Sequence, residues 1–255
     1  MKKNEQFYDK QYEWMTQKSG VTIYPYHHER VEIVEKSNQY QSLHILELGS
    51  GNGEFAVAAA LHEHQVSTVE IIQPAMRKML EIAEEHKVTK QIHAHLDSFY
   101  TIQLTDKFDA ICYWDGFGVG TDAEQQLLLH NIDHWLKPKG KVFIDVYAPA
   151  YWAKTAGQFM KLSKTVHRQY DYDIENNRML DAWWLVENPT EKMQQSLRCY
   201  DVAEFEKLLA DTSLVIEEII PGGKMDYESW VYHEQVILED AMMYTVILKK
   251  VRSSL

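Results

Sequence analysis

The sequence predicts an α/β fold: a doubly wound, mostly parallel sheet with helices on both faces, a late antiparallel strand and an antiparallel β insertion. Three observations carry this. From Ser42 to Val146, short apolar β-rich segments alternate with segments of helical periodicity, the order in which helices connect parallel strands. Near residue 150 the pattern changes to residue-by-residue alternation broken by turn residues, which favours antiparallel pairing. The length, 255 residues, suits one large domain, and no repeat, low-complexity tract or Gly/Ser-rich linker divides it.

Residues 1–40 read as a mainly helical cap, broken near Pro25, lying across the open edge of the domain that fills 41–255. The first strand is SLHILEL, followed by the helical EFAVAAALHEH, the strand VSTVEI and the helix PAMRKMLEIAEEHK. Pro74 suits the first turn of that helix because its missing N–H has no partner to lose there. The strands QIHAHLD and FDAICYW come next. Thr121-Asp122-Ala123-Glu124 has capping-box form, so a helix starts there and runs to Lys137-Pro138-Lys139-Gly140, which turns the chain into a strand beginning at Lys141. Residues 150–200 read as a β insertion: Thr165 to Ile174 alternates, Glu175-Asn176-Asn177-Arg178 turns, MLDAWWLVE returns, and a further strand runs from about Gln194 to Tyr200. Asp201 caps a helix carrying Val202, Phe205, Leu208 and Leu209. The late strands LVIEEII and AMMYTVILKKV are separated at Pro221-Gly222-Gly223.

Composition narrows the function classes. Twenty-six Lys and Arg against 38 Asp and Glu give a formal charge of −12, which argues against nucleic acid or an anionic membrane as partner. The opening MKKNEQFYDKQYEW has no apolar signal core, and the longest apolar run, Phe55 to Leu61, is too short to span a bilayer. Cys112 and Cys199 stand far apart without CxxC spacing, so a reducing cytoplasm fits and a disulfide framework or zinc ribbon does not. The histidine pairs, His27-His28, His62-x-His64 and His93-x-His95, lack any HExxH or Cys pattern, and no metal site is expected. No nucleophile elbow is present.

The most informative stretch is Glu47-Leu48-Gly49-Ser50-Gly51-Asn52-Gly53-Glu54, where a strand runs into a glycine turn and then a helix. The glycines run G-x-G-x-G, Glu54 stands where a dinucleotide fingerprint has its last glycine, and Glu47 lies two positions before the first. An acid at such a turn suits a cationic ligand and would repel a pyrophosphate. On these residues the chain resembles the class I S-adenosylmethionine-dependent methyltransferases, over roughly 42–147 in matching order. The resemblance implies a Rossmann-like seven-stranded sheet and S-adenosyl-L-methionine as cofactor. Glu47, Gly49, Gly51 and Gly53 would form the turn against its methionine part. Glu70 would accept from the ribose hydroxyls and Ile71 would line the adenine pocket. Asp97 would accept from the adenine amino group, with Ser98 and Phe99 beside the ring. Trp114 and Asp115 would reach the mouth where the methyl group leaves, Asp115 being the candidate catalytic residue.

The activity so implied is methyl transfer to a small-molecule oxygen, nitrogen or carbon nucleophile. An NAD-dependent oxidoreductase, an aminopropyltransferase and a non-catalytic cofactor-binding module stay open as alternatives. Since ligands of open α/β sheets bind at the carboxyl ends of the strands, the insertion and the amino-terminal segment should supply the acceptor site. The candidates are Tyr8, Tyr12 and Tyr24 on one side, with Trp152, Arg168, Arg198 and Tyr200 on the other. Arg198 is the preferred anchor, because a guanidinium holds a carboxylate or phosphate at two points.

Overall fold

The computed structural model describes residues 2–16, 21–39 and 42–251, so residues 1, 17–20 and 40 of the expected cap lie outside the described residues. Two helices, α1 (Lys2–Thr16) and α2 (Pro25–Ser37), precede β1 (His44–Leu48), α3 (Glu54–Leu61), β2 (Gln65–Glu70), α4 (Gln73–Glu85), β3 (Ile92–Leu96), β4 (Phe108–Tyr113), α5 (Asp122–Trp135) and β5 (Leu136–Tyr147). Then come α6 (Pro149–Thr155), β6 (Phe159–Lys161), β7 (Val166–Asp173), β8 (Arg178–Leu185), β9 (Met193–Arg198) and α7 (Val202–Leu208). The chain ends with β10 (Leu214–Pro221), β11 (Lys224–Asp226), β12 (Val231–His233) and β13 (Met243–Lys250).

The main sheet has seven strands in the order β10-β13-β5-β4-β1-β2-β3. All pairs from β5 to β3 are parallel, and β13 runs antiparallel to both its neighbours. Strand periodicity explains why helices cover both faces. Leu46, Leu48, Ile111, Val142 and Ile144 point to one side and pack with Leu128 and Ile132 of α5 and Phe205 of α7. Their neighbours Ile45, Ala110, Cys112 and Phe143 point to the other, against α2, α3 and α4. Helix α3 is buried over Phe55 to Ala60, and its small alanines let it lie close to the strands.

The capping residues act as the sequence indicates: Thr121 accepts from the Glu124 N–H, and Asp201 from the Glu204 N–H. Three local expectations need correction. Strand β5 begins at Leu136 rather than Lys141, because Leu136 already pairs with Phe108 and the next pair is Lys141 with Ala110. Residues 137–140 form a bulge, and a Cβ on Gly140 would stand 2.9 Å from the Asp109 carbonyl oxygen. Pro221-Gly222-Gly223 does not join the late strands directly, since the β11–β12 hairpin intervenes. The segment after Pro149 opens with helix α6, whose Trp152 donates its indole N–H to the Met242 carbonyl.

Strands β6, β7, β8 and β9 form a separate antiparallel sheet in that order. Its anchor is Asp181, which is fully buried and accepts from Arg168, Trp183 and Gln195. Phe7 of α1 is also buried and meets Trp183 edge-on, with ring centres 6.4 Å apart, beside Val166. Helix α1 therefore rests on this sheet and reaches from it to the carboxyl ends of β1, β2 and β4. Among the described residues, no helix is long and apolar enough to cross a membrane.

Candidate active site

A cavity of about 380 Å³ lies at those strand ends. Its floor is the glycine turn, in which Gly49, Gly51 and Gly53 all have left-handed φ angles of 64°, 55° and 80°. Glycine adopts these most readily, since it has no Cβ to clash. Glu70 at the end of β2 holds the turn: one carboxylate oxygen accepts from the Gly51 N–H at 2.7 Å and the other from the Ile72 N–H at 2.8 Å. Burial raises the Glu70 pKa, and these backbone N–H groups oppose the rise.

Glu47 is 4% exposed and lines the cavity, and its Oε2 has no hydrogen-bond partner among the described residues. Burial, together with the charge of Glu54, pushes its pKa well up, against the pull of Arg30. Ser50 Oγ and the Trp114 indole N–H, both lining groups, are likewise buried without partners. Orphaned polar groups of this kind carry a desolvation cost that a polar ligand removes. Two acceptors and a donor beside a turn lacking Cβ atoms fit the zwitterionic end of an amino-acid-bearing cofactor. On the far side of the cavity, Ile71, Ser98 and Phe99 supply an apolar and aromatic wall.

Asp115, with φ of 53°, follows β4 and faces the cavity. Its carboxylate accepts from the Tyr147 hydroxyl. Asp115 is solvent-exposed at the cavity, and the protein atoms crowded around its carboxylate raise its pKa against the Tyr147 hydrogen bond. Tyr8 and Tyr12 of α1 and Tyr26 and Arg30 of α2 also line the cavity. The Arg30 guanidinium lies 4.7 Å over the Trp114 ring and donates to Asp145 at 2.7 Å.

Residues 45–140 match the family model described as "Methyltransferase domain". The matched stretch contains the glycine turn and the strands from β1 to β4. These residues carry the sequence pattern of a methyltransferase domain. The chain superposes on the CcbJ methyltransferase from Streptomyces caelestis with a TM-score of 0.77, covering 96% of this chain and 98% of that one at 18% identity. For an S-adenosylmethionine-dependent methyltransferase from Clostridium acetobutylicum the values are 0.71, 94%, 96% and 12%. For an amino pentose methyltransferase from Micromonospora echinaspora they are 0.64, 94%, 96% and 14%. At these identities the likeness is one of fold. No curated protein matches the sequence.

Of the residues singled out in the sequence, the fold brings Glu47, Gly49, Gly51, Glu70, Ile71, Ser98, Phe99, Trp114, Asp115, Tyr8 and Tyr12 to one cavity. Others go elsewhere. Gly53 is outside the lining, and a Cβ there would stand 2.1 Å from Met79 Cγ, so packing of α3 on α4 demands this glycine. Asp97 is exposed, lies outside the lining, and turns its Oδ1 back to the Ser98 N–H at 2.7 Å. Tyr24 is 53% exposed at the start of α2, and Tyr26 takes the lining position instead.

None of the four acceptor candidates from the insertion lines the cavity. Trp152 and Tyr200 are core residues, the Tyr200 hydroxyl donating to Asp122. Arg168 makes a two-point pair with Asp181. Arg198 donates to Glu204 at 2.8 Å, with Asp122 3.5 Å away. The insertion thus meets the site through α1, which it supports. Arg198→Ala is expected to lower unfolding stability by about 1–3 kcal/mol, the range for hydrogen bonds involving charged groups, while leaving S-adenosylhomocysteine affinity and turnover unchanged. Unchanged stability with reduced turnover would restore Arg198 as an acceptor anchor.

Sequence reasoning missed Arg30, Tyr26, Glu54 and Tyr113. Tyr26 and Arg30 stand four apart on α2, a spacing that puts both on one helix face, but the partners of Arg30, Asp145 and Trp114, come from distant segments.

Proposed function

We propose that this protein is a class I S-adenosylmethionine-dependent methyltransferase that transfers a methyl group from S-adenosylmethionine to a nucleophile of a small molecule, with 1–40 as a helical cap and 150–200 as a β insertion supporting the acceptor side. The observation that carries this is the unpartnered, buried Glu47 Oε2 beside the left-handed glycine turn. Glu47 accepts from the cofactor ammonium, while Ser50 Oγ and the Trp114 N–H offer hydrogen bonds to the rest of the amino-acid end. Glu70 holds the ribose hydroxyls, and Ile71, Ser98 and Phe99 flank the base. The bound sulfonium supplies an already reactive methyl group, so the chain's own work is alignment and exclusion of water. Tyr8, Tyr12 and Tyr26 do the latter from α1 and α2.

Calorimetry with S-adenosylmethionine and S-adenosylhomocysteine tests the reading. Glu47→Gln is expected to weaken binding by about 1.5–3 kcal/mol, the contribution of a charge-assisted hydrogen bond. In the ligand-free protein the effect on stability has the opposite sense. Because the Glu47 pKa is raised on folding, the native state binds more protons than the unfolded one above the ordinary carboxylate range, and stability declines as pH rises there. The Gln variant lacks this decline. Undiminished affinity in the variant, or no binding by the wild type, contradicts the proposal.

A further inference from the structure

The cavity's charges go further and name the class of acceptor. Its charged lining residues are Glu47, Glu54, Glu70 and Asp115 against a single guanidinium, Arg30. Arg30 is committed to Asp145 at 2.7 Å. His27, also in the lining, is held neutral because burial and Arg30 push its pKa down to about 4. Behind the walls, Arg168 and Arg198 are tied to Asp181 and Glu204. An anionic acceptor therefore meets no uncommitted cation among the described residues. Asp115, by contrast, lines the same cavity as the aromatic side chains of Tyr8, Tyr12, Tyr26 and Trp114. Carboxylate and ring faces together are the environment that stabilises an organic cation.

We infer that the methyl acceptor is a small molecule carrying a protonated amine, bound by Asp115 among these rings and methylated on that nitrogen; this rests on the methyltransferase function proposed above. One N–H proton of the ammonium passes to an Asp115 oxygen. The freed lone pair forms the C–N bond to the methyl carbon as the C–S bond breaks, its electrons remaining on sulfur. The products are the methylated ammonium and S-adenosylhomocysteine, and the proton leaves Asp115 for solvent. Desolvation by the protein atoms near its carboxylate raises the proton affinity of Asp115, and the hydrogen bond from the Tyr147 hydroxyl restrains the rise.

The test titrates cyclohexylammonium, cyclohexanol and cyclohexanecarboxylate into protein saturated with S-adenosylhomocysteine. The ammonium is expected to bind about tenfold tighter than either of the others, through charge complementarity to Asp115. Asp115→Asn is expected to abolish the preference; Asn tolerates left-handed φ, so the turn survives. Tyr147→Phe, which leaves the carboxylate in place, retains the preference. Equal affinities, preference for the alcohol or carboxylate, or no measurable affinity for the ammonium overturns the amine assignment while leaving methyl transfer standing. Failure of S-adenosylhomocysteine to bind instead removes the function on which the assignment rests.

Discussion

Asp181→Ala is expected to lower unfolding stability by about 3–5 kcal/mol, the cost of breaking a buried ion pair from one side. Asp181 is fully buried, and its two oxygens accept four hydrogen bonds: Arg168 Nε and Nη2 and Trp183 Nε1 at 2.8 Å, and Gln195 Nε2 at 3.2 Å. Without it the Arg168 guanidinium stays wedged between Tyr170 and Trp183, 4.3 and 4.8 Å from the ring centres, with no counter-charge. The damage reaches the site as well, since Trp183 carries Phe7 and with it α1. Urea titration should show a lower midpoint at constant slope, accompanied by weaker S-adenosylhomocysteine binding. Replacing Arg168 and Asp181 together by Met and Leu should recover much of the loss, because an apolar pair leaves no buried charge. A loss below about 1 kcal/mol in Asp181→Ala would mean that this network does not hold the second sheet together.

The largest loss of cofactor affinity is expected for Glu70→Ala, about 3 kcal/mol or more if both ribose hydrogen bonds go, at about 1.5–3 kcal/mol each. Part of this arises without any ligand, because the Gly51 and Ile72 N–H groups lose their acceptor and the glycine turn is no longer fixed to the end of β2. Glu70→Gln separates the contributions: its amide oxygen still accepts one hydrogen bond, so its affinity should fall between those of wild type and Ala. A change below about 0.5 kcal/mol in the Ala variant would exclude Glu70 as the ribose ligand.

What this sequence determined by itself is what local interactions decide. Alternation through HILEL, VSTVE and FDAICY sets which side chains face which helix layer, because successive side chains of a strand point to opposite faces. Thr121 with Glu124 and Asp201 with Glu204 start their helices using groups three residues apart. The glycine turn was legible because glycine takes left-handed angles most freely, and the acids Glu47 and Glu70 followed from the resemblance of their positions to the family's motifs.

Tertiary structure alone decided the use of each polar side chain. Arg198 and Tyr200 share a strand face with Ser196, as alternation indicates, yet the face meets Glu204 and Asp122 and not the cavity. Gly53 matches the family pattern, but it is Met79 on the neighbouring helix that excludes a Cβ there. Arg30 became a site residue through Asp145, which lies 115 positions along the chain. A charged side chain goes to whichever partner best offsets its desolvation, and that partner is named by packing between distant segments, to which local periodicity is blind.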